Sequence, residues 1–223
     1  MKDLTYIDLK ECILSDNDGI ADQIRELSVK KRFFLWNIMS SPGAGKTTFI
    51  IEIITRLKDQ FRFGVIEGDV ESTVDSLKMQ NLGIPTVQLR TGGGCHLDAA
   101  MVMKALESLP LDELDIVIVE NIGNLVCPAE FDLGADLPSM ILSVPEGDDK
   151  AIKYPLMFSV CKALIVSKTD SLGIFDFDFE ALRINTGKLN DSLQIFPLSA
   201  KSGEGMEEFC SWLKQEIESK KYQ

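Results

Sequence analysis

Short apolar runs alternate with longer stretches of helical period along this chain, and a polar or glycine-rich segment follows nearly every run. The runs are FFLWNIM from Phe33 to Met39, RFGVIEGD ending at Asp69, PTVQLR ending at Arg90 and LDIVIVEN ending at Asn121. Three more follow: Met140 to Val144 within SMILSVPEGD, KALIVSKTD ending at Asp170, and SLQIFPLSAK ending at Lys201. Runs this apolar predict strands buried on both faces. Helical spacing predicts helices over Thr47 to Leu57, Ser72 to Asn81, His96 to Ser108, Ala151 to Ser159, Asp178 to Leu189 and Met206 to Ser219. A further helix is expected from Asp8 to Arg32, where Ile20, Ile24 and Leu27 share a face and Gly19 is a point of interruption. The fold class is therefore α/β, a mostly parallel sheet with helices on both faces. Residues 1–32 form an N-terminal helical segment outside the sheet and residues 33–223 one compact domain, with no repeat, low-complexity tract or linker to divide it.

In such a sheet, ligands sit at the carboxyl ends of the strands. The first loop so placed is SSPGAGKTT, Ser40 to Thr48, between an apolar strand and an amphipathic helix. That is the context of a phosphate-binding loop, and it makes the fold a P-loop NTPase. Gly43, Ala44 and Gly45 supply permissive backbone, and N–H groups there and at Lys46, Thr47 and Thr48 face a polyphosphate. Lys46 reaches the outer phosphates, and the Thr47 hydroxyl holds magnesium. The pattern ordinarily starts with glycine, and here that position is Ser40.

Bulk properties narrow the partners. The chain has 223 residues, enough for a sizeable core, and a formal charge of −12, which repels a nucleic-acid backbone. No apolar run approaches a membrane span, and the N-terminus lacks the basic-then-apolar order of a signal peptide, so the expected address is cytoplasmic. Cys12, Cys95, Cys127, Cys161 and Cys210 are widely spaced with no CxxC pair, which predicts reduced thiols.

The other strand-end loops carry further chemistry. Asp69 ends the second strand, as a magnesium ligand or as a turn or cap residue. Glu120 ends a strongly apolar strand, and a charge buried there implies a cation beside it. SKTD, Ser167 to Asp170, is similar to the Asn-Lys-x-Asp guanine motif of GTPases, with serine in place of the asparagine. Asp170 accepts from the ring N–H and the exocyclic amine of guanine, and Lys168 lies along the base plane. Ser199, Ala200 and Lys201 form a second base motif. Together these favour GTP and GDP over adenine nucleotides. A P-loop small-molecule kinase is the alternative, and would lack both base motifs.

His96, the sole histidine, follows Cys95 and a run of three glycines, where a helix is expected to open and favour the thiolate. Cys127 lies seven residues past Glu120, on the segment that senses the γ-phosphate in GTPases. Thiolate and imidazole ligands suit nickel or zinc. Side chains of adjacent residues tend to diverge, so the expected site for Cys95, His96 and Cys127 is shared between two subunits about a two-fold axis. Cys12, Cys161 and Cys210 fall in apolar periodic segments and read as packing residues.

These motifs together, SSPGAGKTT, the GDV segment with Asp69 and Asp75, TGGGCHLDA, ENIGNLVCPAEFDLG, EGDDKAIKYP and SKTD, resemble the HypB family. Its members are GTPases of the SIMIBI class that assist nickel insertion into NiFe-hydrogenase. The resemblance spans the chain from about Phe33 onward, and the two cysteine-bearing motifs are its most specific part. It implies a GTP-dependent homodimer, slow hydrolysis coupled to nickel delivery, and work with the metallochaperone HypA and the hydrogenase large subunit. The related urease GTPase is similar around the P-loop but carries Cys-Pro-His. The CxxCGC motif and histidine-rich tract of some members are absent. Lys150 and Lys153 either contact the neighbouring subunit near its nucleotide or are solvated lysines at a helix start.

Overall fold

The computed structural model describes residues 9–69 and 82–221. Seven strands form one sheet in the order β3-β2-β4-β1-β5-β6-β7, every neighbouring pair parallel. The strands are β1 (Phe34–Ser40), β2 (Phe63–Asp69), β3 (Thr86–Arg90), β4 (Ile116–Gly123), β5 (Leu137–Ser143), β6 (Ala163–Ser167) and β7 (Gln194–Pro197). The helices are α1 (Leu9–Lys31), α2 (Lys46–Leu57), α3 (Ala99–Leu106), α4 (Cys127–Glu130), α5 (Lys150–Lys153), α6 (Pro155–Val160), α7 (Phe179–Gly187) and α8 (Met206–Lys221). The helix expected over Ser72 to Asn81, with Asp75, lies outside the described residues.

Alternation along the strands sorts the core into two layers. Phe34, Trp36 and Ile38 of β1 face α2 and α8, where Phe49, Ile53, Phe209 and Leu213 are buried. Leu35, Val117 and Val119 face the other way, against α1 and α3 through Ala21, Ile24, Val102 and Leu106. A third cluster packs β5 and β6 under α6 and α7 through Met157, Phe158 and Leu182. Helices therefore cover both faces. Trp36, at the centre, stacks on Phe209 and donates its indole N–H to Ser139 Oγ at 2.9 Å, so its one polar atom is satisfied in the core.

Three boundaries differ from the expected ones for identifiable reasons. Gly19 does not interrupt α1, because burial of Ala21 and Ile24 outweighs a glycine penalty of about 1 kcal/mol. The helix expected over Ala151 to Ser159 is two short helices. Pro155 has no N–H to give, and Tyr154 before it leaves helical geometry at φ −131° and ψ 57°. The helix expected from His96 begins only at Ala99, because Asp98 caps it, accepting from Met101 N–H at 2.7 Å.

Lys220 on α8 ties the C-terminal helix to α1 and the sheet. Its ammonium donates to Ser28 Oγ at 2.8 Å, the Phe33 carbonyl at 2.9 Å and Asp136 Oδ2 at 2.5 Å. Burial pushes its pKa down, and Asp136 opposes that shift. Lys220→Ala is expected to cost about 2–3 kcal/mol, because Asp136 loses its cation in a half-buried site. Urea unfolding at unchanged m-value would show it, and a loss below about 0.5 kcal/mol would contradict this role. Among the described residues, no helix is long and apolar enough to cross a membrane.

Candidate functional site

β1 ends at Ser40, and α2 starts at Lys46 after a turn that Gly45 closes at φ 97°, a conformation open mainly to glycine. Lys46 Nζ donates to Ser40 Oγ at 2.9 Å, and that hydroxyl passes its own proton to the Ser41 carbonyl at 2.6 Å. Ser40 is wholly buried. The departure from glycine therefore has a physical role: its side chain holds the lysine inside the loop. Thr47 Oγ1 donates to Glu120 Oε1 at 2.8 Å, so the loop hydroxyl and this carboxylate share one site, although β4 runs on to Gly123 and Glu120 does not end it.

Glu67 was not singled out by sequence, yet it is buried beside Glu120, its register partner across β2 and β4. A glutamate inside the apolar VIEGD run was the available signal. Two buried carboxylates at neighbouring positions favour a cation. With the Thr47 hydroxyl they make a hard-oxygen donor set that fits magnesium. Asp69 ends β2, and its side chain lies outside the described residues.

The base motifs meet the loop from the other side. Ser167 Oγ donates to the Ala44 carbonyl at 2.8 Å, and Lys168 Nζ to the Gly43 carbonyl at 2.7 Å. The serine that replaces asparagine thus retains a direct tie to the P-loop. Ser199 Oγ donates to Asp170 Oδ1 at 2.6 Å and holds that carboxyl below its usual range, so it stays ionised and acceptor-only at neutral pH. Lys201 Nζ lies 3.9 Å from Asp170 Oδ2, and Ala200 packs against the core beneath. Ser41 Oγ donates to Glu146 Oε1, and Glu146 Oε2 in turn accepts from Ser143 N–H and Oγ at 2.9 and 2.6 Å. The P-loop is thereby joined to the loop before α5. Lys153 on α5 is exposed and pairs with Asp149 at 2.5 Å.

A second cluster lies past the ends of β3 and β4. The ligand atoms of Cys95, His96 and Cys127 all lie within 4.8 Å of one another. Cys95 Sγ is 2.9 Å from Cys127 Sγ and 3.6 Å from His96 Nδ1. The side chains of Cys95 and His96 converge rather than diverge, so one chain presents three ligand atoms to one point. The His96 ring stacks on Phe131 at 3.9 Å and 22°, which fixes its plane. Asn124 Nδ2 donates to the Cys95 carbonyl at 3.3 Å while its Oδ1 accepts from Val126 N–H at 2.8 Å, which ties the two ligand loops together.

Two expectations about this cluster are corrected. Cys95 does not open a helix, and its thiol pKa is raised, chiefly by the hydrogen bond with Cys127. In the glycine run before it, Gly92 and Gly93 have φ 60° and 103° beside open space and make a left-handed turn. Cys161 and Cys210 are buried in the core, where desolvation pushes their thiols up.

Known proteins are similar to this chain in sequence and fold. Residues 35–197 match the family described as CobW/HypB/UreG, nucleotide-binding domain. The hydrogenase maturation factor HypB of Escherichia coli strain K12 is 42% identical over 201 residues, 90% of this chain and 69% of that one. The hydrogenase/urease maturation factor HypB of Helicobacter pylori strain J99 is 40% identical over 211 residues, covering 93% and 86%. The crystal structure of HypB from Helicobacter pylori in complex with nickel superposes with a TM-score of 0.87 at 38% identity, covering 92% of this chain and 96% of that one.

Proposed function

This chain belongs to the HypB family of CobW/HypB/UreG nucleotide-binding proteins, and we propose that it is a GTP-hydrolysing nickel metallochaperone for hydrogenase maturation. The observation that carries the proposal is the double use of one strand. Glu120, within β4, takes the hydroxyl of Thr47, and the chain continues from that strand to Cys127 in the thiol-imidazole cluster.

The chemistry follows from the residues. P-loop N–H groups and Lys46 hold the phosphates, Lys168 and Asp170 hold guanine with Ser199, Ala200 and Lys201 behind them, and Thr47 and Glu120 hold magnesium with Asp69. Magnesium, when bound, neutralises the charge between the β- and γ-phosphates. Nickel is cargo, taken by two thiolates and an imidazole that also suit zinc. Three ligands from one chain leave a position for exchange or for a second copy. GTP-dependent pairing about a two-fold axis brings two such triads together, with Lys150 and Lys153 reaching toward the neighbour's nucleotide. Size measurement with GTP analogue and nickel tests that pairing, and a monomer under both additions contradicts it. The partners are a HypA-type metallochaperone and the hydrogenase large subunit in the cytoplasm.

Base recognition separates this reading from a small-molecule kinase. Asp170→Ala is expected to weaken GTP binding roughly 100-fold, since two hydrogen bonds to a charged acceptor are lost, and to leave ATP binding unchanged. Calorimetric competition reads the result, and tighter ATP than GTP binding by the native chain would sink the proposal. The urease-type alternative has a specific support, because the Helicobacter pylori relative is named as a hydrogenase/urease maturation factor. Nickel transfer to each apo-enzyme in parallel distinguishes the two clients.

A further inference from the structure

Strand β4 carries an extra residue opposite β1. Ile38 pairs with Glu120, but Ser40 pairs with Gly123, so three steps along β4 answer two along β1. The irregularity falls at Asn121 and Ile122. Strict alternation would send Ile122 toward α2 with Ile118, yet it packs with Val117 and Val119 on the opposite face. A bulge withdraws an N–H from the ladder and re-aims side chains, and such bulges concentrate beside active sites. Here Ile122 N–H donates to Asn121 Oδ1 at 2.9 Å, a local repair that asparagine makes readily.

The same carboxamide reaches further. Asn121 Oδ1 also accepts from Leu97 N–H at 3.2 Å, and Nδ2 donates to Asn37 Oδ1 at 3.2 Å. Both asparagines are buried, with Asn121 only 1% exposed. Leu97 directly follows His96, Asn37 sits on the strand that feeds the P-loop, and Glu120 is the preceding residue on β4. One buried side chain therefore touches the metal-ligand loop, the P-loop strand and the bulge that begins at the Thr47 partner.

We propose that Asn121 is the positioning residue that carries nucleotide state to the nickel ligands, an inference that rests on the nickel-GTPase reading above. A change at Glu120 as phosphates and magnesium exchange turns the bulged peptide. Asn121 turns with it and shifts the Leu97 N–H, hence Cys95 and His96, relative to Cys127. Asparagine suits the task because Oδ1 accepts twice while a separate atom, Nδ2, donates, and alanine offers neither. Asn124 makes a different contact: it holds the two ligand loops to each other and touches neither β1 nor the bulge partners of Asn121.

The test measures the affinity of the full chain for Ni²⁺ against a chromophoric chelator, once with GDP and once with a non-hydrolysable GTP analogue. The native chain is expected to show a ratio of at least about fivefold between the two forms, the low end of allosteric coupling. Asn121→Ala is expected to bring the ratio within about twofold of unity while the analogue's own affinity changes less than about threefold. Asn121→Asp keeps both acceptor bonds and should retain at least half of the coupling on a logarithmic scale. A native ratio preserved in Asn121→Ala, or a ratio lost as fully in Asn121→Asp, overturns the inference. Should Asn121→Ala fail to fold by circular dichroism, Asn37→Ser probes the same node from the other side, and an unchanged ratio there overturns it too. A ratio of one in the native chain contradicts the underlying nickel-GTPase linkage, whereas a native ratio that survives Asn121→Ala contradicts only the role of Asn121.

Discussion

Alanine at Lys46 is expected to reduce GTP turnover to below about 1% of the native rate and GTP affinity by roughly 100-fold. Lys46 is the loop's one cation placed for the outer phosphates, and charge-assisted bonds to phosphate are about twice as strong as neutral ones. The substitution should spare the fold. Lys46 is only half-buried, and Ser40, which loses a partner, still donates to the Ser41 carbonyl. Phosphate release with GTP and Mg²⁺ gives the rate, and an unchanged unfolding midpoint confirms that the chain is intact. Native turnover in Lys46→Ala would place hydrolysis elsewhere.

Serine at Cys127 is the second large effect. It removes one of three converging ligand atoms and replaces a soft thiolate with a hydroxyl. Loss of a direct ligand should exceed the roughly 10–100-fold typical of outer partners, so nickel affinity is expected to fall more than about 100-fold. The thiolate-to-nickel charge-transfer absorption should weaken with it. Metal-free GTP affinity should stay within about threefold, because Cys127 lies beyond the end of β4, seven residues from the Glu120 that meets Thr47. Unchanged nickel affinity in both Cys127→Ser and Cys95→Ser would remove the cluster from the account.

How much of this was legible beforehand depended on the distance over which each cause acts. The P-loop and the strand-helix alternation of an α/β fold were readable because both are local patterns: Gly-Lys-Thr after an apolar run, and apolar runs between helical stretches. All seven strands were expected, and each lies within a few residues of its expected place. Short-range signals also explain two missed boundaries: Asp98 was the better cap, and Pro155 should have divided the α5–α6 stretch. Other features required the register between strands. Glu67 looks like any polar residue until β2 is laid against β4, and the bulge at Asn121 exists only relative to β1. The serines at 40 and 167 read as weakened motif positions. Their hydroxyls in fact meet Lys46 and the Ala44 carbonyl, contacts between segments 6 and 123 residues apart.

The convergence of Cys95 and His96 was likewise beyond a linear reading. Neighbouring side chains usually diverge, but the turn at Gly92 and Gly93 and the stacking of His96 on Phe131 bring these two to one side. The site therefore needs no second copy to gather three ligands. The proposed pairing of two copies would then serve control and transfer.

That control is the central claim, and linkage makes it measurable from either end. GTP-analogue affinity should be determined calorimetrically on the full chain with and without stoichiometric Ni²⁺. The account predicts a change of at least about fivefold, matched by an equal factor in nickel affinity between the nucleotide-free and GTP-analogue forms. Identical nucleotide affinity with and without nickel, in a chain that binds both, would contradict it.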